Sequence, residues 1–151
     1  MSGADGGGPV SRVHHIGILV ANLDAAVEFA TERLGLEVEK RVSLQQEGTE
    51  IVFVRCGGVL IELIGISDPE TRARRARVPG ANAEIEHVAF AVDDLDALVE
   101  QLSREGTTFT AGAGKIETTK VPLEVAGTRS LFTSRRSSAG ILLQLIEDPS
   151  S

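Results

Sequence analysis

The chain has no tryptophan and no tyrosine, and its 151 residues include one cysteine, one methionine and five phenylalanines. A lone Cys56 excludes an internal disulfide, and its place beside Gly57-Gly58 at a strand end marks it as structural. None of the apolar runs reaches the roughly 20 residues that a helix needs to cross a bilayer. The first dozen residues, MSGADGGGPVSR, lack the apolar core of a signal peptide, so a cytoplasmic protein with no membrane partner is expected. Basic residues are in deficit, 15 Lys+Arg against 22 Asp+Glu. The resulting net charge of −7 argues against nucleic acid as a partner and leaves a small-molecule substrate. Aromatic residues at 3% offer little surface for stacking on a planar ligand.

What the chain does contain is an internal repeat. VHHIGILVANLDAAVE (residues 13–28) and IEHVAFAVDDLDALVE (residues 85–100) align at an offset of 87 − 15 = 72, matching His15 with His87, Leu23 with Leu95, Asp24 with Asp96 and Glu28 with Glu100. Farther on, Gly48-Thr49 answers Gly127-Thr128 at 127 − 48 = 79, and GVLIELI answers GILLQLI at 140 − 58 = 82. The growing offset records small insertions. Two copies of one unit pair about a pseudo-twofold axis, which brings equivalent positions toward one another.

The local patterns read as βαβββ twice. The apolar run from Val13 to Val20 predicts a strand, and Asp24 is placed to cap a following helix that Gly35 ends. Strands are expected over 37–44, 49–55 and 59–64, separated by Gly48 and Gly57-Gly58. Pro69 starts a short polar helix in 68–78 that carries Arg72, Arg74, Arg75 and Arg77. In the second copy the expected elements are a strand over 85–92, an amphipathic helix over 94–105, a short strand over 107–110, and strands over 121–125, 128–133 and 140–146. The organisation is therefore a disordered tail (1–12), a first module (13–67), a linker with a short helix (68–84), a second module (85–147) and a tail (148–151).

Side chains alternate along a strand, so His15 shares a face with Val13, Gly17 and Leu19, and His87 shares one with Ile85, Ala89 and Ala91. Glu62 interrupts the apolar run 59–64, and Gln144 interrupts 141–146 in the same way. A buried carboxylate costs several kcal/mol unless it is paired or metal-bound. A divalent cation would satisfy all four, because imidazole nitrogen with carboxylate or amide oxygen suits Co, Mn, Ni, Zn or Fe.

VHHIGILVANLDAAVEF, LIELI, IEHVAFAVDDLDALVEQL and ILLQLIE together resemble the vicinal oxygen chelate superfamily, and within it most closely the methylmalonyl-CoA epimerase and glyoxalase I branch. The resemblance implies an α+β fold of two tandem βαβββ modules forming an open, cupped eight-stranded sheet around a metal site. It implies ligands His15, Glu62, His87 and Gln144, a homodimer, and an isomerase or epimerase that forms a metal-stabilised enolate of a carbonyl or acyl-CoA substrate. The proton-accepting carboxylate stays open among Glu62, Glu47 and Glu124. Glu47 stands beside Gln46, which occupies the position of the family's Glu, and Glu124 is reached if the modules exchange roles. The order Glu62 then Gln144 reverses the epimerase pattern. That reversal keeps alternatives in view: another isomerase, cyclase or lyase acting on a biosynthetic intermediate, or a non-enzymatic drug-binding resistance protein. Arg72, Arg74, Arg75 and Arg77 are candidates for CoA phosphates, and Arg135-Arg136 for a substrate carboxylate.

Overall fold

The computed structural model describes residues 8–150. It divides into two compact units, residues 15–87, and residues 88–150 together with the segment up to His14. The chain passes between them inside two strands, β1 (Val10–Val20) and β5 (Ala83–Val92). Of the tail expected over 1–12, residues 1–7 lie outside the described residues, and Val10 to Arg12 already belong to β1.

In the first unit β1 runs parallel to β4 (Val59–Ile66), with Gly17 opposite Glu62 and Leu19 opposite Ile64. Next to β4 lie β3 (Thr49–Cys56) and then β2 (Glu37–Leu44), both antiparallel, giving the order β2-β3-β4-β1. The turn between β3 and β4 is two residues long, and Gly57 takes φ +62°, a conformation free of Cβ strain only for glycine. One face of this sheet packs Val20, Val52, Val54 and Leu63 against α1 (Leu23–Glu28) and the π-helical turn Phe29–Arg33 that extends it. The opposite face carries Leu19, Ile51, Ile64 and Ile66. By strand alternation His15, Gly17 and Glu62 continue that second stripe.

The N-cap of α1 is Asn22, whose side chain accepts from the Ala25 backbone N–H at 3.0 Å. The sequence reading places Asp24 there. Asp24 instead sits in the first turn, where its charge faces the positive end of the helix dipole. The linker helix α2 (Pro69–Arg75) is shorter than expected and is capped by Asp68, which accepts from both the backbone and the hydroxyl of Thr71.

The second unit repeats the plan. The Val88–Val92 portion of β5 runs parallel to β9 (Leu143–Glu147), and β8 (Thr128–Thr133) is antiparallel to β9. The far edge of β8 is covered by β6 (Phe109–Thr110) and β7 (Leu123–Val125), which pair with different stretches of it. They line one edge on either side of residues 111–122, so the described residues hold the nine strands that the local patterns give, one more than the eight that the resemblance implies. Helix α3 (Leu95–Arg104) is capped by Asp94 and buries Leu95, Leu98 and Val99, with Leu102 beside them, against Phe109, Leu131 and Leu145. That is the i, i+3, i+4, i+7 stripe of an amphipathic helix. Gln144 points to the face away from α3, the counterpart of Glu62 in the first unit. The class is α+β, with open-edged sheets and few helices, in agreement with the sequence. No helix of the described residues is long and apolar enough to cross a membrane.

Asn22→Ala is expected to cost about 1 kcal/mol, a melting-temperature loss of a few degrees for a domain of this size. Asp24→Ala removes only the dipole interaction and should cost less, about 0.5 kcal/mol. Thermal unfolding of the two variants checks the order, and the reverse order would return the cap to Asp24.

Candidate metal centre

Within the first unit, β1, β4 and the start of β5 bring His15, Glu62 and His87 together, all buried. The two imidazole Nε2 atoms are 3.3 Å apart. Glu62 Oε1 lies 3.3 Å from the His15 Nε2 and 3.2 Å from the His87 Nε2. The rings stand nearly perpendicular, at 86°, and Phe53 meets the His15 ring edge-on at 5.7 Å. Phe53 is the cross-strand neighbour of Glu62 in the β3–β4 pairing.

Gly17 makes the arrangement possible. A Cβ at that position would stand 2.2 Å from the His87 Cε1 and less than 3 Å from both ring nitrogens. A glycine inside an apolar strand often marks such a close approach, and here the space is filled by a ligand candidate.

Electrostatics couple the cluster. Burial pushes the Glu62 carboxyl up, but attraction to the adjacent His15 and His87 imidazoles outweighs it and holds the group well below the usual carboxylate range. Burial pushes His87 down, and the carboxylates of Glu62 and Glu86 outweigh it and raise the imidazole to about 9. Even so, Glu62 Oε1 is buried without a hydrogen bond of acceptable geometry. A buried carboxylate oxygen left in that state is costly. A point equidistant from three atoms spaced 3.2–3.3 Å apart (side/√3) lies about 1.9 Å from each, close to the roughly 2.0–2.1 Å of nitrogen–zinc bonds. Two imidazoles and a carboxylate converging at that spacing fit a divalent first-row cation.

His87 is oriented from behind. Its Nδ1 is 2.9 Å from Glu86 Oε1, and Glu86 in turn accepts two hydrogen bonds from the Arg75 guanidinium, Nε to Oε2 at 2.8 Å and Nη2 to Oε1 at 2.7 Å. The sequence reading missed Glu86 and counted Arg75 among the candidates for CoA phosphates. The structure corrects that assignment, because Arg75 is 11% exposed and committed to a buried ion pair. The available signal was a charged residue directly before the repeated histidine, on the face that strand alternation turns the other way.

The remaining candidates are placed as follows. Gln144 is buried in the second unit, where its side-chain amide donates to the Ser130 hydroxyl at 3.0 Å. Glu47 is half-buried in the 3-10 turn Gln45–Glu47 and contributes, with Glu62, to the negative field at Arg75. Glu124 lies on the exposed strand β7, 4.0 Å from Arg129 Nε, with its side chain 77% exposed. Arg72 donates to the Val20 carbonyl at 3.2 Å, Arg135 donates to the Gly140 carbonyl, and Arg136 is exposed. Cys56 is exposed at the end of β3.

Comparison with known proteins agrees with this reading of the fold. The sequence model of the glyoxalase/bleomycin resistance protein/dioxygenase superfamily matches residues 14–122. Mitochondrial methylmalonyl-CoA epimerase of Mus musculus is 26% identical over 139 residues, covering 90% of this chain and 72% of that protein. The crystal structure of methylmalonyl-CoA epimerase from Mycobacterium tuberculosis superposes with a TM-score of 0.79 at 21% identity, over 97% of this chain and 93% of that one. A single-substitution variant of the Streptomyces coelicolor epimerase, in complex with 2-nitronate-propionyl-CoA, gives 0.75 at 20% identity, over 93% and 96%.

Gly17→Ala should keep the fold and weaken Co²⁺ binding at least tenfold, read by titration calorimetry, because the methyl group displaces the His87 ring. Metal binding is also pH-linked. In the metal-free protein the His87 proton stabilises the fold below pH 6.5, and that contribution is lost as pH rises through about 9. A cation must displace this proton, so about one proton should be released per ion at pH 7.5, about half of one near pH 9 and almost none above about pH 10. Calorimetry in buffers of different ionisation enthalpy measures the number.

Proposed function

Because the chain belongs to the glyoxalase/bleomycin resistance protein/dioxygenase superfamily, we propose that it is a metal-dependent epimerase or closely related isomerase acting on an acyl-CoA thioester or similar carbonyl compound. The observation that carries this reading is the buried convergence of His15, Glu62 and His87, whose ligand atoms lie close enough to share one ion and include a carboxylate oxygen with no hydrogen bond. Gln144, repeat-equivalent to Glu62, is the proposed fourth ligand. When bound, the cation would polarise a substrate carbonyl and stabilise the negative charge that develops on its oxygen as an adjacent C–H is deprotonated.

The protein's own residues divide the remaining work. Glu62 stays ionised at any working pH, since its carboxyl is held so low. That suits a ligand and makes it a weak base. Its single negative charge, with two neutral imidazoles, would offset only half the charge of a divalent ion held there and so would favour substrates with anionic oxygens. Phe53 covers one edge of His15 and keeps that side of the site apolar, which strengthens the charge interactions within it. Glu47 is the preferred proton acceptor of the three carboxylates carried from the sequence. It is half-buried, belongs to the same unit as the donors, and is not consumed as a ligand. Epimerisation needs a second acid on the opposite face of the substrate; Glu62, ionised and spent as a ligand, is unsuited to it, which leaves Glu124 of the carboxylates carried from the sequence.

The epimerase relatives by name support the acyl-CoA class. The reversed order of Glu62 and Gln144, with Gln46 in the family's Glu position, supports a second reading in which another isomerase, cyclase or lyase uses the same centre. A homodimer in the cytoplasm belongs to the same proposal.

Incubating methylmalonyl-CoA in D₂O with the Co²⁺-loaded protein is expected to give α-deuterium exchange that a chelator abolishes. Glu47→Gln should slow it by about 10²–10⁴-fold while Co²⁺ binding is unchanged. Stoichiometric metal without exchange would move the assignment to the second reading, and a protein that binds no transition metal would overturn both.

A further inference from the structure

His87 is gripped on both sides of its ring. On one side the missing Cβ of Gly17 admits the ring against the β1 backbone. On the other, Nδ1 meets Glu86 Oε1 at 2.9 Å, and that same oxygen accepts from Arg75 Nη2 at 2.7 Å. Glu86 has no exposed side-chain surface. A buried ion pair of this kind contributes little to net stability compared with apolar residues of equal volume, so its presence calls for another reason. The repeat sharpens the point. The equivalent of Glu86 at the offset of 86 − 14 = 72 is His14, whose Nε2 lies 2.7 Å from Asp148 in the chain's C-terminal segment. Both copies bury a titratable side chain before the repeated histidine, but Glu86 reaches back to the neighbouring imidazole.

We propose that Glu86 and Arg75 are positioning residues for the metal ligand His87: Glu86 accepts the Nδ1 proton and so presents the Nε2 lone pair to the donor triangle, and Arg75 anchors Glu86. This rests on the reading of His15, Glu62 and His87 as a metal centre. A carboxylate behind an imidazole fixes its tautomer and makes it a stronger donor. The guanidinium adds the opposite charge, so the pair orients His87 without changing the net charge of the centre. Because Arg75 comes from α2, the linker helix holds the ligand geometry through a two-point, planar contact that lysine cannot reproduce.

The test uses the full chain with Co²⁺ as the probe. Wild type, Glu86→Gln, Glu86→Ala and Arg75→Met are titrated by calorimetry and visible absorption, and the His87 tautomer in the Zn²⁺-loaded proteins is read from long-range ¹H–¹⁵N spectra. Glu86→Ala is expected to weaken Co²⁺ 10–100-fold and to leave His87 in mixed tautomers. Glu86→Gln keeps an acceptor oxygen of the same shape, so it should restore the single tautomer and part of the affinity. It also guards against a misfolded alanine variant. Arg75→Met should weaken Co²⁺ in the same direction, and unchanged affinity would remove Arg75 from the proposal. If wild type binds Co²⁺ and both Glu86 variants bind it within twofold with an unaltered tautomer, the positioning role is overturned while the metal centre stands. If wild type binds no Co²⁺, both are overturned.

Discussion

Glu62 sits in the middle of a buried strand, where a lone carboxylate would cost several kcal/mol, and the surrounding structure is arranged to meet that cost. Two imidazoles, one from β1 and one from β5, bring their Nε2 atoms within 3.3 Å of its oxygen. Their attraction outweighs burial and keeps the group ionised. Yet the same oxygen has no well-formed hydrogen bond. A cation at the point the three donors share would supply the directional bonds that the rings do not.

Everything that positions these three atoms follows from strand periodicity. Each unit places its helix on one sheet face and the polar strand residue on the other, because α1 covers Val52, Val54 and Leu63 while Glu62 alternates with Leu63 on β4 and shares its face with the apolar Ile64 and Ile66. The second unit does the same with Leu145 under α3 and Gln144 beside it. The parallel pairing of first and last strands sets Gly17 directly opposite Glu62. That register lets a ring from β5 stand where a larger residue on β1 would block it.

Much of this was legible along the chain. β2 and β8 fall where alternation and glycine punctuation put them, and the repeat pointed to His15, His87 and Glu62 before any geometry was known. The misplaced cap was also within reach. The repeat offset pairs Asn22 with Asp94, and reading α1 by the register of α3 would have found Asn22 rather than Asp24. The two short strands β6 and β7 were expected separately, but that they share one edge of β8 was harder to read across the twelve residues between them. The linker arginines looked alike in sequence because charge alone does not tell a solvated guanidinium from a buried one.

The sequence by itself determined the α+β class, the two βαβββ units and the polar residues that interrupt their apolar strands. These depend on local periodicity and on a repeat that is written residue by residue. Only the tertiary structure decided that Gly17 yields its space to His87, that Glu86 turns back to His87 Nδ1, and that Arg75 belongs to Glu86. Those contacts join β1, α2 and β5, and a choice between a solvated and a buried ion pair depends on what the fold places beside the charge rather than on its neighbours in the chain.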